Sequence, residues 1–238
     1  MELNAEFNVN ELFDLKDRFQ SRILDVCIAR NDLAYINSLM NQNSDDNHFR
    51  MAFLFRQQIA MIREAVHLIS LLYSEHLEQL NEFNNAERVN EKYQELGLYV
   101  DNFNMGTGTI MEDFLIPVRN MISHYKDDKK NPQYTNVAEE EILSTITLDD
   151  EIRYENCYGR LYTFADNVFY RSAMMKWKEY RKLDSADFDS LFVDFVRRYR
   201  EIVVKTISFL DTVFDGYSDK YLDVEQTDDG NRIVKKTI

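Results

Sequence analysis

Apolar residues recur at three- and four-residue steps through most of this chain, the period of a helix that buries one face. From His48 to about Leu80 the series Ala52, Phe55, Ile59, Ile62, Val66, Ile69 and Tyr73 keeps that period throughout, which predicts the central helix of a bundle. A second stripe, Phe188, Leu191, Phe192, Phe195, Tyr199, Ile202, Val203, Thr206, Phe209 and Leu210, predicts another long amphipathic helix beginning near Asp184. Ahead of these, Asn10 can cap a helical region that runs to about Met40, with a break expected near Asn31-Asp32. The polar run NQNSDDN ends it. A more polar helix is expected from about Asn85 to Leu96, stopped at Gly97.

The segment FNMGTGT is the Gly-rich stretch of the chain. It has neither a P-loop lysine nor the dinucleotide fingerprint, so it reads as a linker. It leads into Thr109-Ile110-Met111-Glu112, a capping-box sequence that predicts a new helix. Pro117 falls inside that helix, where a missing N–H and a ring clash should kink or restart it. Residues 127–149 begin with the charged loop DDKKNP and end with ILSTITL, which has β character. Helix is expected again from about 150 to 181. The closing residues DVEQTDDGNRIVKKTI read as a tail with one strand at most. The fold class predicted is all-α, an antiparallel bundle of five to seven helices with a short β insertion. It would form a single domain over 1–222 with the insertion near 127–149, followed by a tail over 223–238.

Composition agrees with this picture. Six Gly and two Pro are too few for a many-turned β protein, and 45% hydrophobic residues can fill a sizeable core. Cys27 and Cys157 lack metal-ligand or redox spacing and are expected to be reduced and buried. The polar N-terminus and the lack of a long uncharged run predict neither secretion nor membrane insertion, hence a cytoplasmic protein. A formal net charge of −14 excludes a general nucleic-acid-coating surface but permits a local basic site. Arg197, Arg198 and Arg200, and separately Lys126, Lys129 and Lys130, are clusters that folding could bring to a phosphate.

Candidate chemistry concentrates in Arg119-Asn120-Met121-Ile122-Ser123-His124. Arg119 presents a permanent cation in a fork matched to phosphate oxygens, and His124 can take or give a proton near neutrality. On a straight helix Asn120 and His124 share a face. Cleaving RNA by internal transfer benefits from a base at the 2′-oxygen and an acid at the leaving 5′-oxygen, whereas one chain supplies one histidine here. Two copies of the helix meeting across a two-fold axis would supply both.

The context PVRNMISHY resembles the HEPN superfamily (higher eukaryotes and prokaryotes nucleotide-binding domains). These are helical bundles whose ribonuclease members carry an Arg, a polar residue such as Asn, and a His four to six residues after the Arg. The resemblance implies a metal-independent endoribonuclease acting as a homodimer on RNA, often a toxin or antiviral defence effector held by an antitoxin or regulatory protein. It assigns Arg119, Asn120 and His124 as catalytic, with Tyr125 and Lys126 beside them as substrate-binding residues, and it calls for no cofactor and no metal. Members paired with a nucleotidyltransferase antitoxin carry a Tyr two positions after the His. Here that position is Lys126, and Tyr125 is adjacent instead. A non-catalytic helical interaction module, or a nucleotide-binding protein of the same fold, stays open as an alternative.

Other chemistry has weaker signals. Glu64 and His67 have the Glu-x-x-His spacing of carboxylate-bridged di-iron bundles, but no second pair exists, so His67 reads as a core or interface histidine. His48 reads as a helix-start residue and His76, beside Glu75, as solvent-facing. Trp177, flanked by Lys176 and Lys178, is the aromatic residue expected to make a surface contact.

Overall fold

The computed structural model describes residues 5–6, 12–42, 48–123, 152–155, 159–183, 188–227 and 230–235. Among them the fold is an all-α helical bundle carrying two small sheets. The described residues include six α-helices: α1 (Arg18–Gln42), α2 (His48–Asn81), α3 (Ala86–Gly97), α4 (Ile116–Ser123), α5 (Thr163–Arg181) and α6 (Phe188–Tyr221). The strands are β1 (Ala5–Glu6), β2 (Ile152–Glu155), β3 (Gly159–Tyr162), β4 (Leu222–Thr227) and β5 (Gly230–Lys235).

Several boundaries differ from the sequence expectation, each for a local reason. Asn10 lies outside the described residues, and α1 begins at Arg18, where the Gln20 N–H donates to Asp17 Oδ1 at 2.9 Å and makes Asp17 the cap. The helix runs unbroken past Asn31-Asp32, held by the buried Val26, Leu33 and Ile36. Residues 152–155 and 159–162, expected to be helical, form the antiparallel β2–β3 pair, with Ile152 opposite Tyr162 and Glu155 opposite Gly159. The closing residues form two strands rather than one. β4 and β5 pair antiparallel, and β1 adds to β5 in parallel. The insertion expected near 127–149 lies outside the described residues.

The chain divides into two compact units. One comprises Met1–Tyr35, Glu64–Phe103 and Ile202–Ile238; the other comprises Ile36–Arg63 and Asn104–Glu201. In the first, Phe13 stacks on Tyr217 with ring centroids 5.5 Å apart, and the Tyr217 hydroxyl donates to the Leu12 carbonyl at 3.3 Å. Arg30 Nε lies 2.6 Å from Asp211 Oδ1, tying α1 to α6. Asn85 adds a bond from Nδ2 to the Thr212 carbonyl at 2.9 Å. Gly97 closes α3 as expected, but the left-handed residues come later: Asp101, Asn102 and Phe103 have φ of 52°, 54° and 60°. That turn lays Phe103 flat on Tyr93, with centroids 4.3 Å apart.

The second unit contains the candidate catalytic helix. Its core is aromatic: Phe114, Trp177 and Phe195 meet with centroids 5.1 to 5.7 Å apart, and Phe55 closes on Phe195 edge-on at 5.5 Å.

Candidate functional site

Arg119 and Asn120 stand on a helix whose phase is set by an irregular start. The Thr109 hydroxyl donates to the Gly106 carbonyl at 2.7 Å and accepts the Glu112 N–H at 3.4 Å, one half of the capping box read from the sequence. Gly108, just before it, has φ of +88°, a conformation open to glycine at little cost. Met111–Leu115 then winds as a π-helix, and the Ile116 N–H reaches back to the Met111 carbonyl. Pro117 explains the widening. It has no N–H to give, and in a regular α-helix its ring would meet the carbonyl of Asp113; one extra residue in the turn relieves that contact.

The inward side of this segment is fixed by burial of Ile110, Met111, Phe114, Leu115 and Val118. Both the π-turn and α4 pack on α5. Val118 is fully buried, and Arg119 and Asn120 follow it, half-buried, at the next positions around the helix. The described course of α4 ends at Ser123. His124, Tyr125 and Lys126 come next in the chain and lie outside the described residues, as do Lys129 and Lys130. The structure therefore places two of the candidate residues, consecutive on α4 directly after the π-turn.

A polar anchor joins α5 to α6 in the same unit. Trp177 is fully buried, not surface-exposed as its lysine neighbours suggested, and its Nε1 donates to Asp194 Oδ2 at 3.1 Å. Arg181 Nε approaches the same oxygen at 3.3 Å, and an Arg197 terminal nitrogen reaches Asp194 Oδ1 at 3.2 Å. Burial alone would push the Asp194 carboxyl up; the indole donor and the two guanidiniums outweigh it and hold the group below its ordinary value. The sequence reading missed Asp194. The signal that could have found it is that a buried indole N–H needs an acceptor.

The remaining histidines and cysteines divide by burial. His76 is buried, with 7% of its surface exposed, and not solvent-facing; it packs 5.4 Å from the Phe19 ring at a break in α2, where its φ is −134°. Neither ring nitrogen has a hydrogen-bond partner among the described residues, and Glu75 Oε2 stands 3.9 Å from Nε2. Burial pulls its pKa below the ordinary value, against an opposing pull from Glu75. His67 is half-buried and Glu64 is exposed, and His48 begins α2. Cys27 is half-buried, with its thiol pushed up to about 11 by that burial, which leaves it protonated and a poor nucleophile. Cys157 lies outside the described residues. Among the described residues no three His, Cys, Asp or Glu side chains gather as a metal site, and no helix is long and apolar enough to cross a membrane.

No protein-family model, curated protein or solved structure matches this chain.

Proposed function

We propose that this chain is a metal-independent endoribonuclease of HEPN type that works as a homodimer. The observation that carries the reading is the placement of Arg119 and Asn120 on one short helix of a helical bundle, with His124 following the end of that helix's described course. One His124 takes the proton from an RNA 2′-hydroxyl as its oxygen attacks the adjacent phosphorus. The other gives a proton to the departing 5′-oxygen, leaving a 2′,3′-cyclic phosphate and a 5′-hydroxyl. Arg119 holds the scissile phosphate and stabilises charge that builds on its oxygens. Asn120 orients the imidazole or a phosphate oxygen, and Tyr125 and Lys126 contact the flanking RNA.

This chemistry suits a toxin or antiviral effector acting in the cytoplasm under the control of an antitoxin or other regulatory protein. The net charge of −14 fits such restraint: binding of bulk RNA is disfavoured, so recognition falls to local cations. The same charge favours a second reading, a non-catalytic module that binds a basic protein. Purified protein with RNA separates the two. His124→Ala and Arg119→Ala should each abolish cleavage while helicity and dimerisation persist, whereas full activity in His124→Ala would remove this mechanism.

A further inference from the structure

His76 is a buried polar group that the proposed chemistry leaves idle. Its side chain is 9% exposed, and neither ring nitrogen has a hydrogen-bond partner among the described residues. Burying an imidazole without partners costs about 1–3 kcal/mol, so a group that supplies them is favoured there. The ring lines a cavity of about 250 Å³ within the first unit, together with Gln79 of α2 and Tyr221 of α6. The first turn of α1 lines the same cavity through Arg18 and Phe19. Helix geometry gives first-turn N–H groups no acceptor within the helix. That of Gln20 is taken by Asp17 Oδ1, and those of Arg18 and Phe19 remain at the positive end of the helix dipole.

We infer that this cavity binds a small oxyanion, a carboxylate or a phosphoryl-type group, held by the N-terminus of α1, the Arg18 guanidinium and the His76 imidazole. The charges around the ring set how it binds. From α1 come Arg18, Arg22 and Asp17, and Arg22 is itself 3.4 Å from Asp25. From α2 comes Glu75, whose Oε2 stands 3.9 Å from His76 Nε2, and α6 brings Tyr221. Two guanidiniums thus meet two carboxylates around the ring, and a neutral imidazole adds no cation to receive an anion. The oxyanion therefore enters with one proton from solvent, which His76 accepts. The imidazolium has two N–H groups, one for the ligand and one for Glu75. Binding and protonation are linked, since burial lowers the His76 pKa and a bound anion raises it. The site is built within the first unit, so the inference stands apart from the ribonuclease reading.

Sulfate and acetate are the probes, because each keeps one charge state between about pH 6 and 8. Imidazole NMR signals of the full chain are followed as each anion is added, against sodium chloride at matched ionic strength, and His76→Gln identifies the His76 signal. That signal should shift saturably in sulfate or acetate, with its titration midpoint raised by about one pH unit. The anion should bind about tenfold more tightly at pH 6 than at pH 8, and His76→Gln should remove that dependence. Arg18→Gln, at an exposed position, should weaken binding about tenfold with an unchanged thermal melt, which keeps the test independent of folding. Preference for sulfate assigns a phosphoryl-type ligand, and preference for acetate assigns a carboxylate. A His76 signal that moves alike in sulfate, acetate and chloride overturns the inference. So does saturable binding that His76→Gln and Arg18→Gln both leave unchanged.

Discussion

The buried indole N–H of Trp177 donates to the Asp194 carboxylate at 3.1 Å, and that bond joins α5 to α6 within the unit that carries Arg119. Asp194 also holds Arg181 and Arg197, so one carboxylate satisfies three donors. Asp194→Ala should lower unfolding free energy by about 2 kcal/mol, because the indole and Arg181 are left without their acceptor. The carboxyl is held below its ordinary value, so its contribution is complete above the unfolded pKa of about 3.9 and is lost as pH falls through the lower folded value. Urea melts of wild type and Asp194→Ala should therefore differ at pH 7 and converge as the pH drops below about 4.

His76 should likewise lose its contribution as pH falls, in a higher window. Burial lowers its pKa in the folded chain, so its contribution to stability is complete above the unfolded pKa of about 6.5. Below that pH the unfolded chain binds the proton more readily than the folded chain, and stability falls. His76→Leu should remove most of this slope between pH 7.5 and 5.5. Because neither ring nitrogen has a described hydrogen-bond partner, the variant should lose little at pH 7.5. Chemical denaturation across that pH range checks both expectations.

Gly216 marks a close approach between the end of α6 and the turn before α3. A Cβ there would overlap Asn85 Oδ1 and come within 2.5 Å of the Phe83 ring. Alanine would gain about 1 kcal/mol of helix propensity, but Phe83 is buried and Asn85 is held by Thr212, so neither can retreat freely. Overpacking should win. Gly216→Ala is expected to destabilise the chain by about 2 kcal/mol in a urea melt.

The two long helices were readable because their stripes repeat over many turns, and a long repeat outvotes exceptions. The β2–β3 pair was not. Ile152-Arg153-Tyr154-Glu155 alternates over just four residues, too short a run to compete with the helical pattern that follows at Thr163. Trp177 and His76 were misplaced for a shared reason: both were judged by charged sequence neighbours, yet adjacent helix residues point about 100° apart, so Lys176 or Glu75 says little about the face beside it. At the candidate site, Pro117 announced an irregularity, but proline alone does not choose between a kink and an added residue. The structure takes the added residue, as a π-turn over Met111–Leu115, with Phe114 and Val118 both buried.

That choice has a functional consequence. The extra residue shifts everything after Leu115 by about one position around the helix relative to a regular α-helix. Pro117→Ala removes the ring clash and permits a regular turn, which would rotate Arg119 and Asn120 away from their present direction. RNA cleavage should fall at least tenfold while circular dichroism and melting temperature hold or rise, and a fully active variant would detach the π-turn from catalysis.

The most direct measurement is the chemistry of the RNA ends produced by purified wild-type protein in excess EDTA. Metal-independent internal transfer by Arg119 and His124 predicts continued cleavage, with 2′,3′-cyclic phosphate and 5′-hydroxyl termini that vanish in His124→Ala. Intact RNA, or cleavage that stops in EDTA and leaves 3′-hydroxyl and 5′-phosphate ends, would contradict it.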